Sequence, residues 1–165
     1  MSAVLSEAPV FRPMRVADLT AIIAIERVIY SHPWTIGNFR DSLYAGYSCW
    51  VMECAGQMVG YGVLMLGVDE AHLLNLSVAH EWQRRGLGRA LLEHFIRIAR
   101  SWEARSILLE VRPSNVAARL LYEQAGFREL SVRGSYYPAE GGREDAILMG
   151  MELERGEERR GKGEG

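Results

Sequence analysis

The pattern of the chain predicts an α/β domain with a mixed sheet and helices on both faces. Three observations carry that expectation. Apolar residues recur at helical spacing in two long stretches, 17–30 and 90–99, whereas the other apolar runs are short and of strand length. A turn with glycines at 86 and 88 joins a strand pattern directly to a helix pattern. The 165 residues are 48% hydrophobic and 24% charged, as in an ordinary globular chain. A chain of this length buries roughly two-thirds of its unfolded surface without disulfides or metals. A single domain is therefore expected over residues 1–153. Residues 152–165 carry nine charges and four glycines, a composition unable to build a core, and 154–165 are expected to be a disordered tail.

The first helix is expected over 17–30, with Leu19, Ile22, Ile23, Ile25 and Ile29 on its apolar face and Asp18 available as a cap. His32-Pro33-Trp34-Thr35 interrupts it, because proline disfavours helix in the residue before it. Phe39 and Leu43 at i, i+4 then suggest a short second helix. Ser48 to Cys54 and Met58 to Leu66, joined by Ala55-Gly56-Gln57, read as an antiparallel hairpin. Ala71 to Val78 is a third strand. After the glycine turn, Leu91, Leu92, Phe95, Ile98 and Ala99 share one helical face. Ser106 to Val111 is a strand, Asn115 to Ala125 a helix closed by Gly126, and Arg143 to Leu153 a final strand. No internal repeat is visible.

Composition also excludes several functions. The net charge of −2 supplies no overall field for nucleic-acid phosphates. No apolar segment approaches the roughly 18 residues of a membrane span, and Met1 to Val10 lacks a signal peptide's basic region, so a cytoplasmic protein is expected. Cys49 and Cys54 lie in an apolar stretch without a second cysteine pair or a histidine at ligand spacing, and read as reduced core thiols; no metal is expected.

The turn Arg84-Arg85-Gly86-Leu87-Gly88-Arg89 is the strongest chemical signal. Its glycines let backbone approach a ligand, the helix behind it offers unpaired N–H groups, and three arginines add positive charge. Leu91 stands where a dinucleotide fingerprint would want a third small residue, and the Gly-Lys-Ser/Thr of a P-loop is absent. Gln83-Arg84-Arg85-Gly86-Leu87-Gly88 matches the Gln/Arg-x-x-Gly-x-Gly/Ala signature of the GNAT N-acetyltransferases, which this chain resembles. The resemblance extends toward the bacterial ribosomal-protein-alanine acetyltransferases. It runs through Pro33-Trp34, Asn75-Leu76-Ser77-Val78, Leu109-Glu110-Val111-Arg112, Ala118 to Phe127, and Tyr136-Tyr137-Pro138 with Gly142-Arg143-Glu144-Asp145-Ala146, and covers about residues 12 to 153.

That resemblance implies a GNAT fold with a central mixed, mostly antiparallel sheet, and acetyl-CoA as co-substrate. It implies that the amides of Arg84, Arg85, Gly86, Leu87, Gly88 and Arg89 cradle the coenzyme pyrophosphate. It assigns the acetyl and pantetheine portion to backbone at Leu76, Ser77 and Val78, and a coenzyme contact to Asn115. Glu110 is implied as general base, acting through water, and Tyr122 as general acid toward the departing thiolate. On residue type alone, Glu110 within Ile107-Leu108-Leu109-Glu110-Val111 is either paired, with Arg112 or a nearby helix, or functional, and burial there would strengthen it as a base. Asn115 and Tyr122, seven residues apart, would share one stripe of their helix. Tyr122 alone also fits an amphipathic core tyrosine. His72, His80 and His94 have no comparable partners and read as surface or structural residues.

The substrate the resemblance implies is the N-terminal alanine of a ribosomal protein, protein eighteen of the small subunit. Trp34, Tyr136 and Tyr137 would wall the entrance from two loops, admitting a small first side chain. Glu140, Glu144 and Asp145 read as solvated loop charges or partners of Arg143. The alternatives are a GNAT enzyme acting on lysine side chains or a small amine, and a non-catalytic coenzyme-A-binding module.

Overall fold

The computed structural model describes residues 8–153, so the expected tail at 154–165 lies outside the described residues. In chain order the elements are β1 (Val10–Pro13), a 3-10 turn (Val16–Asp18), α1 (Leu19–Ile29), α2 (Ile36–Tyr44), β2 (Ser48–Cys54), β3 (Gln57–Leu66) and β4 (Glu70–Val78). A second 3-10 turn (His80–Trp82) precedes α3 (Leu87–Ser101), β5 (Ser106–Val111), α4 (Val116–Ala125), β6 (Arg128–Ala139) and β7 (Gly142–Glu152). The strands form one sheet of order β1-β2-β3-β4-β5-β7-β6, flanked by helices. β4 and β5 run parallel, whereas β1–β2, β2–β3, β5–β7 and β6–β7 are antiparallel, which is the mixed, mostly antiparallel α/β arrangement expected. Among the described residues no helix is long and apolar enough to cross a membrane.

Two compact units divide the chain. The first holds the described residues up to Leu64 together with Leu74–Glu93. Its core gathers Met14, Leu19, Ile22, Ile23, Phe39, Cys49, Val51, Tyr61 and Val63, with Ile25, Trp34, Leu43, Tyr47 and Met58 packed at its edge. The buried stripe of α1 is Leu19, Ile22, Ile23 and Glu26, so a carboxyl joins the apolar face, while Ile25 and Ile29 are only partly buried. Asp18 does not cap α1. Its carboxylate is drawn backward, accepting from the Arg15 N–H at 2.7 Å and pairing with the Arg12 guanidinium at 2.8 Å. The Arg12 pair holds the Asp18 carboxyl below its ordinary range, against the opposing effect of burial. α2 begins on a reciprocal cap: the Asn38 N–H donates to Thr35 Oγ1 and the Thr35 N–H to Asn38 Oδ1. The β2–β3 hairpin turns at Ala55 and Gly56, with φ of 51° and 77°, the backbone a two-residue hairpin connection needs. Gly60 in β3 is required for a different reason: a Cβ there would lie 2.8 Å from the Ser77 carbonyl oxygen. Cys49 and Cys54 form no disulfide and are buried, and burial pushes the Cys49 thiol up to about 11.

The second unit comprises Met65–Leu73 and the described residues from His94 onward. Its parallel ladder runs from the pair Glu70 and Ser106 to the pair Leu73 and Leu109, and β5 pairs antiparallel with β7 along its other edge. Phe95, Ile96 and Ala99 of α3 are buried here. α4 starts at Val116 rather than Asn115, which is its N-cap, and ends at Gly126 in the left-handed region. β6 is an edge strand, almost wholly exposed, paired to β7 through a register irregularity between Arg133 and Tyr137, where Ser135 has a φ of 53°.

Candidate active site

The turn before α3 has the backbone of an anion cradle. Arg84 and Gly86 both take left-handed φ, of 63° and 79°, and a Cβ at Gly86 would meet nothing within 4 Å. Alternating handedness of this kind turns successive N–H groups toward one concavity. The first helical hydrogen bond of α3 runs from the Ala90 N–H to the Gly86 carbonyl, so the amides of Leu87, Gly88 and Arg89 are those that helix geometry leaves without a helical partner. Arg84, Arg85 and Arg89 are exposed. The Arg85 guanidinium lies 4.9 Å from the centroid of Trp82, and Arg89 pairs with Glu93 at 3.0 Å, which orients both side chains near the turn. Open space, aligned amides and net positive charge fit a pyrophosphate.

The same unit carries a polar network that sequence reasoning missed. Glu26 is only 1% exposed. It accepts the Trp34 N–H on Oε2 at 2.8 Å, and the Tyr61 hydroxyl at 2.8 Å and the Asn75 amide at 3.4 Å on Oε1. Burial raises the pKa of the Glu26 carboxyl, and these three donors oppose the rise. Ser77 donates to Asn75 Oδ1 at 2.7 Å, and the Tyr30 hydroxyl lies 2.8 Å from Ser77 Oγ and 3.1 Å from the Leu76 carbonyl oxygen. Burial pushes Tyr30 up to about 12, with the Ser77 hydrogen bond acting the other way and the Glu26 charge adding to the rise. Gln83 donates to the Val78 carbonyl at 3.0 Å. Leu76 and Ser77 are therefore held by Tyr30, just past the end of α1, and Val78 by Gln83, just before the glycine turn. Trp34 is half-buried, its ring 5.0 Å from Phe39, which in turn lies 5.7 Å from Tyr61. The available signal was position: Glu26 falls seven residues after Leu19, on the apolar stripe of α1.

In the second unit, Glu110 departs from expectation. β5 buries Ile107, Leu109 and Val111, and the alternation of the strand turns Glu110 outward, so it is exposed and the burial expected to strengthen it is absent. The proposed partner Arg112 is engaged elsewhere: it donates to the Pro138 carbonyl at 2.8 Å, reaches Glu144 at 3.4 Å and lies 4.4 Å from the Tyr137 centroid. Glu144 is not a partner of Arg143. It accepts from the Ser114 N–H at 2.9 Å and the Ser114 hydroxyl at 2.8 Å, and these bonds, with Arg112, lower its pKa. Tyr122 is buried, its ring 5.7 Å from Phe127. Asn115 sits one residue outside α4 as its N-cap, exposed, with its Oδ1 accepting the Ala118 N–H at 3.2 Å, whereas Tyr122 is buried. Tyr136 and Tyr137 stand on β6 rather than in a loop, stacked edge to face at 4.9 Å, with Arg133 over Tyr136 at 4.6 Å. Burial first, then the Glu110 and Tyr136 charges, push Tyr137 up to about 12. His72 lies 3.3 Å from Glu70, and His94 packs 5.8 Å from Phe95.

Residues 19–127 match the family model for the acetyltransferase (GNAT) family. The chain belongs to this family and is an acetyl-CoA-dependent N-acyltransferase. It is 39% identical over 140 residues to the ribosomal protein bS18-alanine N-acetyltransferase of Escherichia coli K12, covering 85% of this chain and 95% of that enzyme. The enzyme of the same name from Salmonella typhimurium is 38% identical over 136 residues, covering 82% of this chain and 92% of that one. The crystal structure of the Escherichia coli enzyme superposes with a TM-score of 0.83 at 37% identity, over 88% of this chain and 94% of that structure.

Proposed function

We propose that the protein transfers the acetyl group of acetyl-CoA to the α-amine of an N-terminal alanine, and that its substrate is ribosomal protein bS18 in the cytoplasm. The observation that carries this reading is the open, left-handed Arg84–Gly86 turn feeding α3, within a chain that matches bS18-alanine acetyltransferases over nearly their whole length. The amides and arginines of residues 84–89 hold the pyrophosphate, and backbone at Leu76, Ser77 and Val78 receives the acetyl and pantetheine end. The amine nitrogen attacks the thioester carbonyl carbon directly, the C–S bond breaks, and no acyl group is carried by the protein.

Glu110 receives the proton that the amine gives up, through water. An α-amine has a pKa near 7.7–8.0 against about 10.4 for lysine, so a modest base serves an N-terminus. An exposed carboxylate on a rigid strand meets that demand. Tyr122 hydrogen-bonds the departing sulfur. A thiol of pKa about 8.5 is a weaker base than a phenolate of about 10, so complete transfer from an ordinary tyrosine would run uphill by about 2 kcal/mol, and the hydrogen bond itself supplies the stabilisation. Asn115 serves the coenzyme by fixing the start of α4. Trp34, Tyr136 and Tyr137 supply aromatic walls for the substrate's first residue.

Mass spectrometry of an alanine-initiated bS18 peptide incubated with protein and acetyl-CoA tests the reading. One acetyl group on the α-amine is expected. Acetylation of an α-blocked peptide at its lysines would replace this activity with lysine acetylation, and binding of acetyl-CoA without turnover on any amine would leave a binding module.

A further inference from the structure

We propose that Glu26 is a positioning residue for the acceptor amine, fastening the segment that carries Trp34 to strand β4 at Asn75–Ser77. This rests on the aromatic role given to Trp34 and the backbone role given to Leu76–Val78 in the proposed activity. The connection is continuous. The Trp34 N–H, Glu26, the Asn75 amide, the Ser77 hydroxyl, the Tyr30 hydroxyl and the Leu76 carbonyl form one chain of hydrogen bonds between 2.7 and 3.4 Å. One end is backbone beside the Trp34 ring. The other is backbone expected to meet the acetyl group.

Two features distinguish this from a packing accident. Trp34 stands after Pro33, between the end of α1 and the start of α2, where no helix or strand pairing supplies an acceptor for its N–H. Glu26 provides that acceptor from the interior. A well-packed apolar side chain at position 26 would avoid the cost of burying a carboxyl, so the carboxyl is explained by what it holds. At 1% exposure Glu26 offers no atom to a substrate, and it acts through Trp34 and β4. The Phe39 ring backs Trp34 at 5.0 Å, so an anchored N–H and a packed ring together fix the direction of the indole.

Glu26→Met keeps an unbranched side chain of similar length and removes both acceptor oxygens. It is expected to raise KM for the alanine peptide about tenfold or more, since small misplacement of a positioned group is costly, with the acetyl-CoA Kd within about twofold. Exchange of the Trp34 amide hydrogen should quicken by about tenfold or more, because its acceptor is gone. Val51→Ala, a core change outside the network that lowers stability, should leave peptide KM and Trp34 exchange unaltered. Should Glu26→Met not fold, Glu26→Gln is read by peptide KM against acetyl-CoA Kd, since one amide oxygen cannot serve both sides of the site. Unchanged Trp34 exchange, or a peptide KM that moves equally in Val51→Ala, overturns the positioning role. Wild-type protein that leaves the alanine peptide unacetylated instead overturns the proposed activity, and the acceptor role with it.

Discussion

Glu26 and Glu110 are carboxyl groups in apolar surroundings of sequence, and the two units treat them in opposite ways. Glu26 is enclosed and accepts from a backbone N–H, a hydroxyl and an amide. Glu110 is exposed, and among the described residues no side-chain hydrogen bond or ion pair engages it. A carboxyl whose oxygens are committed to fixed donors holds geometry; one whose oxygens meet solvent has electrons available for a proton. Enclosure and availability thus part company in these two carboxyls: the buried one is committed to its donors, and the exposed one can take a proton.

The largest test of that contrast is Glu110→Gln. Turnover should fall on the order of a hundredfold or more, the usual loss for a positioned general base, while unfolding free energy stays within about 0.5 kcal/mol because the site is exposed. A loss of stability in step with turnover would make Glu110 structural and erase the contrast. Gly86→Val separates grip on the co-substrate from both carboxyls. A side chain at a φ of 79° costs about 1–2 kcal/mol. Acetyl-CoA affinity should drop roughly tenfold by calorimetry, with peptide KM little changed; unaltered affinity in a folded variant would dissolve the cradle.

The smallest effect is a difference in pH slope. The folded pKa of Asp18 is lowered, so its contribution to stability is present above its unfolded value of 3.8 and is lost as pH falls through the folded value. The folded pKa of Glu26 is raised, so its contribution is present below the unfolded value of 4.5 and is lost as pH rises through the folded one. Thermal unfolding between about pH 3 and 7 should therefore show the penalty of Asp18→Asn growing with pH and that of Glu26→Gln shrinking. Parallel slopes would show that the two carboxyls are not held in opposite ways.

Most of the framework was legible because periodicity and breakers reported it locally. The apolar stripes of α1 and α3, the Ala55-Gly56 turn, β5 and Gly126 all follow from residues within a few positions of one another. β1 was not, since Val10–Pro13 is only four residues long and gains strand character from its pairing with β2. A return to the sheet could be read at Phe127, but the extent of β6 could not, since it is an exposed edge strand with a register break and hence no alternation. At the site, the glycine turn could be read from type and spacing. The burial of Glu26 could not, because Ile-Glu-Arg looks like one solvent-facing charge until the Trp34 segment folds back over it. The exposure of Glu110 was misjudged because an apolar run does not say which face of its strand is covered.

Arg84 occupies left-handed backbone that asparagine or glycine adopts with far less strain, at a position where, in the proposed activity, its cation beside the turn would strengthen the hold on phosphate. Heat resistance and co-substrate capture therefore make competing demands on this one residue. Selection for survival at high temperature alone would drift it toward glycine, and selection for acetylation at low acetyl-CoA would keep the arginine and accept the strain.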